Sequence, residues 1–144
     1  MLLRHGRKLT VHGGGHQRKR YLYVGDAANA LNTLLHCGVA GEVYNLGSDD
    51  EISSREISAT LLKYVNPPGS NSSSENSNLD EWIQTMPGRP YLDSGSRLDC
   101  GKLQALGWRQ KVGWEEGLRR TVGWYSAYGE TWWGNMGQVP GLDA

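Results

Sequence analysis

The stretch Tyr21-Leu22-Tyr23-Val24-Gly25-Asp26-Ala27-Ala28-Asn29-Ala30-Leu31-Asn32-Thr33-Leu34-Leu35 reads as a short strand that turns into a helix. Aromatic and branched residues bounded by glycine favour an extended segment at 21–24. Asp26 then stands where a carboxylate can accept the orphan amide protons of a first helical turn. Ala27, Ala30, Leu31, Leu34 and Leu35 recur at helical spacing, and Gly38 offers a left-handed stop.

Outward toward the N-terminus, Leu9-Thr10-Val11-His12 is a second strand-like run, ended by Gly13-Gly14-Gly15. Outward toward the C-terminus, residues 42–47 read as another short strand. Ser53-Ser54-Arg55-Glu56 is a capping-box pattern, opening a helix with Ile57, Leu61, Leu62 and Val65 that Pro67-Pro68 stops. Residues 69–78 contain no apolar side chain and no period, which predicts a flexible loop inserted in one domain. Asp99 is placed to cap a short helix through Lys102 and Leu103, ended by Gly107. Leu118, Thr121, Val122 and Tyr125 define a last helix over 115–128, with Glu115 and Glu116 in the turn the helix dipole favours and Gly129 as its end. Short strands mixed with single helices fit an α/β or α+β fragment. One domain over residues 1–133 and a loose, Gly-rich tail over 134–144 follow from this reading.

Composition narrows the function classes. The 15 basic and 15 acidic side chains balance, which argues against nucleic acid or an anionic membrane surface as partner. The apolar runs are far too short for a membrane span, and the first residues lack the apolar core of a signal peptide. Cys37 and Cys100 lie far apart, and two reduced thiols in a cytoplasmic protein are expected. The chain has 6 Trp and 7 Tyr but no Phe, so much of its large-residue burial falls to aromatics that need a hydrogen-bond partner.

The short motifs exclude several chemistries. His12-Gly13-Gly14-Gly15 has the look of an esterase oxyanion loop, but no Gly-x-Ser-x-Gly elbow accompanies it. Asp93-Ser94-Gly95 is too short to mark a serine protease. His5, His12, His16 and His36 are not at metal-ligand spacing, so no metal is expected. The triple glycine is followed by a basic run and a further strand, whereas a dinucleotide loop is followed by a helix. Arg18-Lys19-Arg20 reads either as a solvated turn or as an anion site, since guanidinium and ammonium groups match phosphate.

In chain order, Leu9-Thr10-Val11-His12-Gly13-x-Gly15-x-Gln17, Tyr21-Leu22-Tyr23-Val24-x-Asp26, Gly41-Glu42-Val43-Tyr44-Asn45-Leu46-Gly47, Arg89-Pro90, Leu106-Gly107-Trp108 and Trp114-Glu115-Glu116-Gly117-Leu118-x-x-Thr121-Val122-x-Trp124-Tyr125 form a series. The series resembles the C-terminal part of the dTDP-glucose 4,6-dehydratase family, NAD-dependent epimerase/dehydratases of the extended short-chain dehydrogenase/reductase superfamily. The resemblance runs from about Leu9 to Trp133. It implies an α/β fold class: the substrate-binding C-terminal region of such an enzyme, without most of the Rossmann domain.

The resemblance also implies roles. Thr10, Val11 and His12 match the strand that lines the nucleotide base. Lys19 falls where the family has an arginine that contacts the diphosphate, and lysine keeps the charge without the bidentate fork. Asn45 matches an asparagine that touches the nucleotide, and Arg89 a further phosphate partner. The family uses NAD and a Tyr-x-x-x-Lys pair to oxidise the sugar at C4, eliminate water across C5 and C6 and return the hydride. Neither the NAD loop nor that pair is found in this sequence. The chain alone is therefore expected to bind no NAD and to be inactive as a hydro-lyase. Its expected ligand is a nucleotide sugar, dTDP- or UDP-glucose, and the family homodimer is not expected without the remaining domain.

The pattern departs at Gly88, which stands for an aspartate, at Leu92, and at Ser94-Gly95-Ser96, which replaces Arg-Arg-Tyr. These changes strip charge and an aromatic ring from the ligand side. They keep open the alternative of a non-catalytic module that binds sugar nucleotides or a protein partner.

Overall fold

The computed structural model describes residues 2–67, 79–88 and 97–134. Its elements are strand β1 (Leu9–His12), strand β2 (Arg18–Arg20), helix α1 (Val24–Cys37), strand β3 (Glu51–Ser53) and helix α2 (Ser54–Val65). Helix α3 (Leu79–Trp82), strand β4 (Ile83–Met86), helix α4 (Gly101–Ala105) and helix α5 (Trp114–Trp133) follow. The expected loop at 69–78 lies outside the described residues, as do Arg89, Leu92, Ser94, Gly95, Ser96 and all but the first residue of the tail at 134–144.

Two small sheets organise the chain. β1 pairs in parallel with β4, Leu9 opposite Ile83 and His12 opposite Met86. β2 pairs antiparallel with β3, Lys19 opposite Ile52. The apolar interior is thin. Ala30, Leu103 and Trp108 form one cluster, joined by Leu22, Leu34, Tyr44 and Leu46. Leu3, Val11, Leu62 and Ile83 are buried elsewhere. Trp108 is buried with its indole N–H satisfied, donating to the Asp26 carbonyl at 3.1 Å.

Several expectations are met by the residues that carry them. β1 occupies the expected run. The capping box at α2 is complete: Ser53 Oγ accepts the Glu56 N–H at 3.2 Å, and the Glu56 carboxylate accepts the Ser53 N–H at 2.7 Å.

Others are corrected. Cys100, not the expected Asp99, holds the N-cap position of α4, and Asp99 Oδ1 accepts the Gly101 N–H at 2.8 Å from one residue before it. The strand expected at 21–24 forms three residues earlier, because the alternating Arg18 and Arg20 are held by groups on and around β3. Tyr21 still donates its N–H to the Asp50 carbonyl at 3.3 Å, but Val24 is already helical. Asp26 does not cap α1. Tyr23 takes that position, and Asp26 is buried in the first turn, accepting the N–H groups of Lys111 and Val112. Gly38 is not left-handed, its φ being −73°. A Cβ there would sit 2.5 Å from the Leu34 carbonyl oxygen, so space rather than backbone angle demands glycine. Residues 42–47 keep a strand's alternation, Tyr44 and Leu46 packing inward with Val43 exposed, but among the described residues no strand pairs with them. α5 runs through Gly129 to Trp133, and Gly134, at φ 72°, follows its last turn.

Candidate functional site

β1 and β4 run in parallel, so their carboxyl ends, His12 and Met86, lie side by side. In open parallel sheets ligands bind beyond such ends. Here the chain leaves both ends through glycine. Gly13, Gly14 and Gly15 take φ of 58°, 75° and 75°, a left-handed turn that L side chains rarely adopt. A Cβ on Gly13 would lie 3.6 Å from the Gly88 Cα, so the two exits pass backbone to backbone. A Cβ on Gly15 would lie 2.6 Å from Val11 Cγ1, which fixes the turn against its own strand.

Along β1, side chains alternate between faces. Val11 is buried and belongs to the interior, whereas Thr10 is exposed and His12 half-buried. The His12 Nδ1 lies 3.2 Å from the Pro87 carbonyl oxygen, joining the two exits by a side chain as well.

The turn leads straight into β2, whose three basic residues are split by the strand's period. Arg18 pairs with Glu56 at 3.0 Å and reaches the Glu51 carbonyl. Arg20 binds the Asp49 and Ser48 carbonyls at 2.9 and 3.2 Å and Glu51 Oε2 at 3.2 Å. Lys19 points to the other face. It is exposed and makes no hydrogen bond or ion pair among the described residues. The basic triplet is thus a strand, not a solvated turn, with two structural arginines flanking an uncommitted cation. The carboxylate of Glu56 is held below the usual range, chiefly by the Ser53 hydrogen bonds and secondarily by Arg18.

Asn45 sits on a different part of the molecule. Its Nδ2 donates to the Asp99 carbonyl at 3.1 Å, tying the 42–47 segment to the start of α4. No hydrogen bond among the described residues links Asn45 to β1 or β2. The structure therefore places Thr10, His12 and Lys19 on one continuous strand–turn–strand unit and Asn45 apart from it, while Arg89 falls just beyond Gly88, outside the described residues. Pro87 was missed as a site neighbour, whereas Gly88 was read as the place of a lost aspartate on the ligand side. The signal was the short run Ile83-Gln84-Thr85-Met86 before them, but its pairing with β1 is long-range.

A second feature is an open apolar groove of about 530 Å³ between the start of α1 and α5. Tyr21, Tyr23, Val24, Trp114 and Trp124 line it, with Arg120 at 5.7 Å over the Tyr23 ring. Val24, Leu31, Leu35, Val39 and Val43 are exposed on and after α1.

The glycine turn at 13–15 differs from a dinucleotide loop. The glycine turn feeds β2, whereas a pyrophosphate loop feeds a helix N-terminus. Among the described residues there is no cluster able to hold a metal ion, and no helix long and apolar enough to cross a membrane.

This arrangement is shared with solved structures. The dTDP-glucose 4,6-dehydratase of Streptomyces venezuelae, solved with NAD and TYD bound, matches with a TM-score of 0.74 and 27% identity, over 90% of this chain and 37% of that one. The UDP-glucose 4-epimerase of Thermotoga maritima, solved with UDP-glucose, matches with a TM-score of 0.69 and 26% identity, over 88% of this chain and 37% of that one. The fold is that of a region of an extended short-chain dehydrogenase/reductase.

Within that class the sequence is more specific. The dTDP-D-glucose 4,6-dehydratase of Mus musculus is 36% identical over 131 residues, 91% of this chain and 36% of the relative. The trifunctional UDP-glucose 4,6-dehydratase/UDP-4-keto-6-deoxy-D-glucose 3,5-epimerase/UDP-4-keto-L-rhamnose-reductase of Arabidopsis thaliana is 35% identical over 137 residues, 94% of this chain and 19% of the relative. No family model matches the sequence. Over this span the chain is a homologue of the dTDP-glucose 4,6-dehydratases. It spans about a third of the length of the dTDP-D-glucose 4,6-dehydratases it matches.

Proposed function

We propose that this chain supplies the nucleotide-diphosphate-binding part of a dTDP-glucose 4,6-dehydratase-like protein, with dTDP- or UDP-glucose as ligand. The observation that carries the reading is Lys19. It is the uncommitted cation of β2, following a left-handed glycine turn at the carboxyl end of a parallel strand pair. An ammonium group there suits a diphosphate, and its flanking arginines hold the strand rather than the ligand. Thr10 and His12 line the same unit, Val11 supports it from beneath, and Asn45 and Arg89 complete the set on the resemblance. Relatives are solved with NAD bound, and hydride transfer is chemistry that a nicotinamide cofactor carries. This chain's contribution is to bind and orient the nucleotide end, so no dehydratase activity is expected of it alone.

The test is a thermal-shift titration with dTDP and UDP, because a ligand that binds only the folded state raises the apparent melting temperature. A saturable rise, lost in Lys19→Ala and Arg89→Ala, is the expected result. A clear transition that neither nucleotide moves would sink the reading.

The exposed apolar side chains Leu31, Leu35, Val39 and Val43 favour one second reading. In it the chain is a non-catalytic module that docks a protein partner through this face. Monomeric light scattering together with an absence of hydrophobic-dye binding would count against it.

A further inference from the structure

Helix α5 carries two different surfaces along one face. Its first half forms, with the start of α1, the open apolar groove of about 530 Å³. Two of the residues it gives to that groove are small: Thr121, and Gly117, on which Tyr23 packs 3.1 Å from where a Cβ would stand. Its second half carries an aromatic ridge. The Trp124 ring lies 6.0 Å from those of Tyr128 and Trp132, and the three side chains remain 38%, 56% and 70% exposed. Gly117, Thr121, Trp124, Tyr128 and Thr131 follow one another at alternating steps of four and three, the spacing of a seam that meets a second helix.

We propose that this face is the interface of a two-fold dimer, in which the α5 helices of two copies pair antiparallel and the ridge of each fills the groove of the other. A two-fold interface must be complementary to itself. Antiparallel pairing meets that condition by setting small residues against large ones. Thr121 faces the partner's Tyr128, and Gly117 faces the end that carries the partner's Trp132. Charge agrees. α5 has Glu115 and Glu116 in its first turn and no basic residue in its last, so its C-terminal carbonyls keep the negative pole of the helix uncompensated. Among the described residues lining the groove, Arg120 alone is charged, and it shares Glu116 with Arg119. Antiparallel pairing carries Arg120 to the partner's last turn, the end that lacks a cation. Parallel pairing would set ridge on ridge and Arg120 on Arg120.

The area is of the right order. Trp124, Tyr128 and Trp132 together expose on the order of 350 Å². That is close to half of the about 800 Å² that each partner brings to a standard interface. Val24, 71% exposed at the groove, adds to it with Arg120 and the groove walls. An interface at the small end of the range gives a concentration-dependent dimer rather than a permanent one. The proposal is independent of the nucleotide-binding reading, so no result of a nucleotide titration bears on it.

The experiment is sedimentation equilibrium of the full chain over a range of concentrations, with Trp132→Lys and Tyr128→Lys as variants. The wild type is expected to pass from monomer to dimer as concentration rises. Each lysine is expected to weaken association about tenfold or more. Neither should move the melting temperature by more than a few degrees, since both side chains are exposed. Orientation is read by cross-linking, in chains that also carry Cys37→Ser and Cys100→Ser. A Thr121→Cys chain and a Tyr128→Cys chain, mixed and mildly oxidised, are expected to join by a disulfide, which forms only where two Cβ atoms come close. A wild type that stays monomeric at every concentration overturns the proposal. A dimer that both lysines leave intact also overturns it, because the contact then lies on another surface. Assembly beyond a dimer does the same, since a two-fold interface closes on itself. Cross-links between like chains alone, Thr121→Cys to Thr121→Cys, would show parallel helices and overturn the arrangement.

Discussion

The Asp26 carboxylate accepts the backbone N–H of Val112 at 2.8 Å, across 86 positions of sequence. The same oxygen takes the Lys111 N–H at 3.1 Å, and the Asp26 carbonyl receives the Trp108 indole. One buried residue in the first turn of α1 thus fastens the segment that launches α5. Asp26→Ala strands two backbone donors, at a cost of about 3 kcal/mol. That corresponds to a melting temperature lower by on the order of 10 °C. Asp26→Asn keeps an acceptor oxygen and is expected to lose about 1 kcal/mol. Calorimetry on the two variants tests this, and equal effects would show that the hydrogen bonds are not what Asp26 contributes.

Ser53 closes the capping box of α2 at the point where β3 becomes a helix. Ser53→Ala removes the acceptor for the Glu56 N–H and is expected to cost about 1 kcal/mol. Ser53→Asp keeps the acceptor and should restore stability. A melting temperature unmoved by Ser53→Ala would mean that the antiparallel β2–β3 pair fixes this start without the cap.

What the sequence disclosed and what it hid follow from the range of the interactions. The Ser53–Glu56 box is written within four residues, and β1 and α2 carry their own periodicity, so these were legible. Asp26 looked like a cap because local reading offers a first-turn carboxylate only local amides. Its real partners are 85 and 86 residues away. Residues 42–47 have a strand's alternation but no strand beside them among the described residues, and a sequence does not say whether a partner is present. β2 was read three residues late because its strand character comes from cross-strand holds on Arg18 and Arg20, not from branched side chains. At the site, Lys19 was legible as a cation and His12 as a member of β1. The Pro87 contact that orients His12 depends on a parallel pairing that no local pattern encodes.

Acid should loosen the fold through exposed carboxylates whose partners hold them charged. Hydrogen bonds from Arg119 and Arg120 bring Glu116 down to about 2. Glu42 is lowered by Lys102, Glu56 by Ser53 and Glu115 by Tyr64 and Lys63. Each folded value lies below the unfolded one, so the unfolded chain binds more protons in acid. The contribution is present above the ordinary glutamate range, about 4.3, and is lost as pH falls through the folded values. Melting temperature should decline from about pH 5 toward pH 2, less steeply in high salt because the pairs are exposed. Glu116→Gln is expected to flatten the lowest part of that curve, and an unchanged curve would refute the assignment.

Leu35 is 84% exposed on α1, and Leu31 is 59% exposed one turn before it. A substitution that adds charge there removes no buried contact. Leu35→Lys should therefore leave the melting temperature within a few degrees of wild type while lowering hydrophobic-dye binding and any self-association through this face. Marked destabilisation would show that Leu35 is covered in solution, and light scattering would say whether a second copy covers it.

Lys19 separates binding from stability, because its side chain makes no hydrogen bond or ion pair among the described residues while Arg18 and Arg20 hold β2 to its surroundings. Lys19→Ala should change unfolding free energy by less than about 0.5 kcal/mol, as expected of an exposed and unpaired side chain. It should nevertheless abolish the thermal shift given by dTDP and UDP. Lys19→Arg should restore the shift, since guanidinium matches phosphate in fork geometry as well as charge. Arg20→Ala should do the reverse of Lys19→Ala, lowering stability first by freeing the Ser48 and Asp49 carbonyls and the Glu51 carboxylate. Chemical denaturation paired with nucleotide titration on the three variants checks the separation. If Lys19→Ala lost stability and nucleotide binding in proportion, Lys19 would be a structural residue of β2, and the diphosphate would have to be held elsewhere.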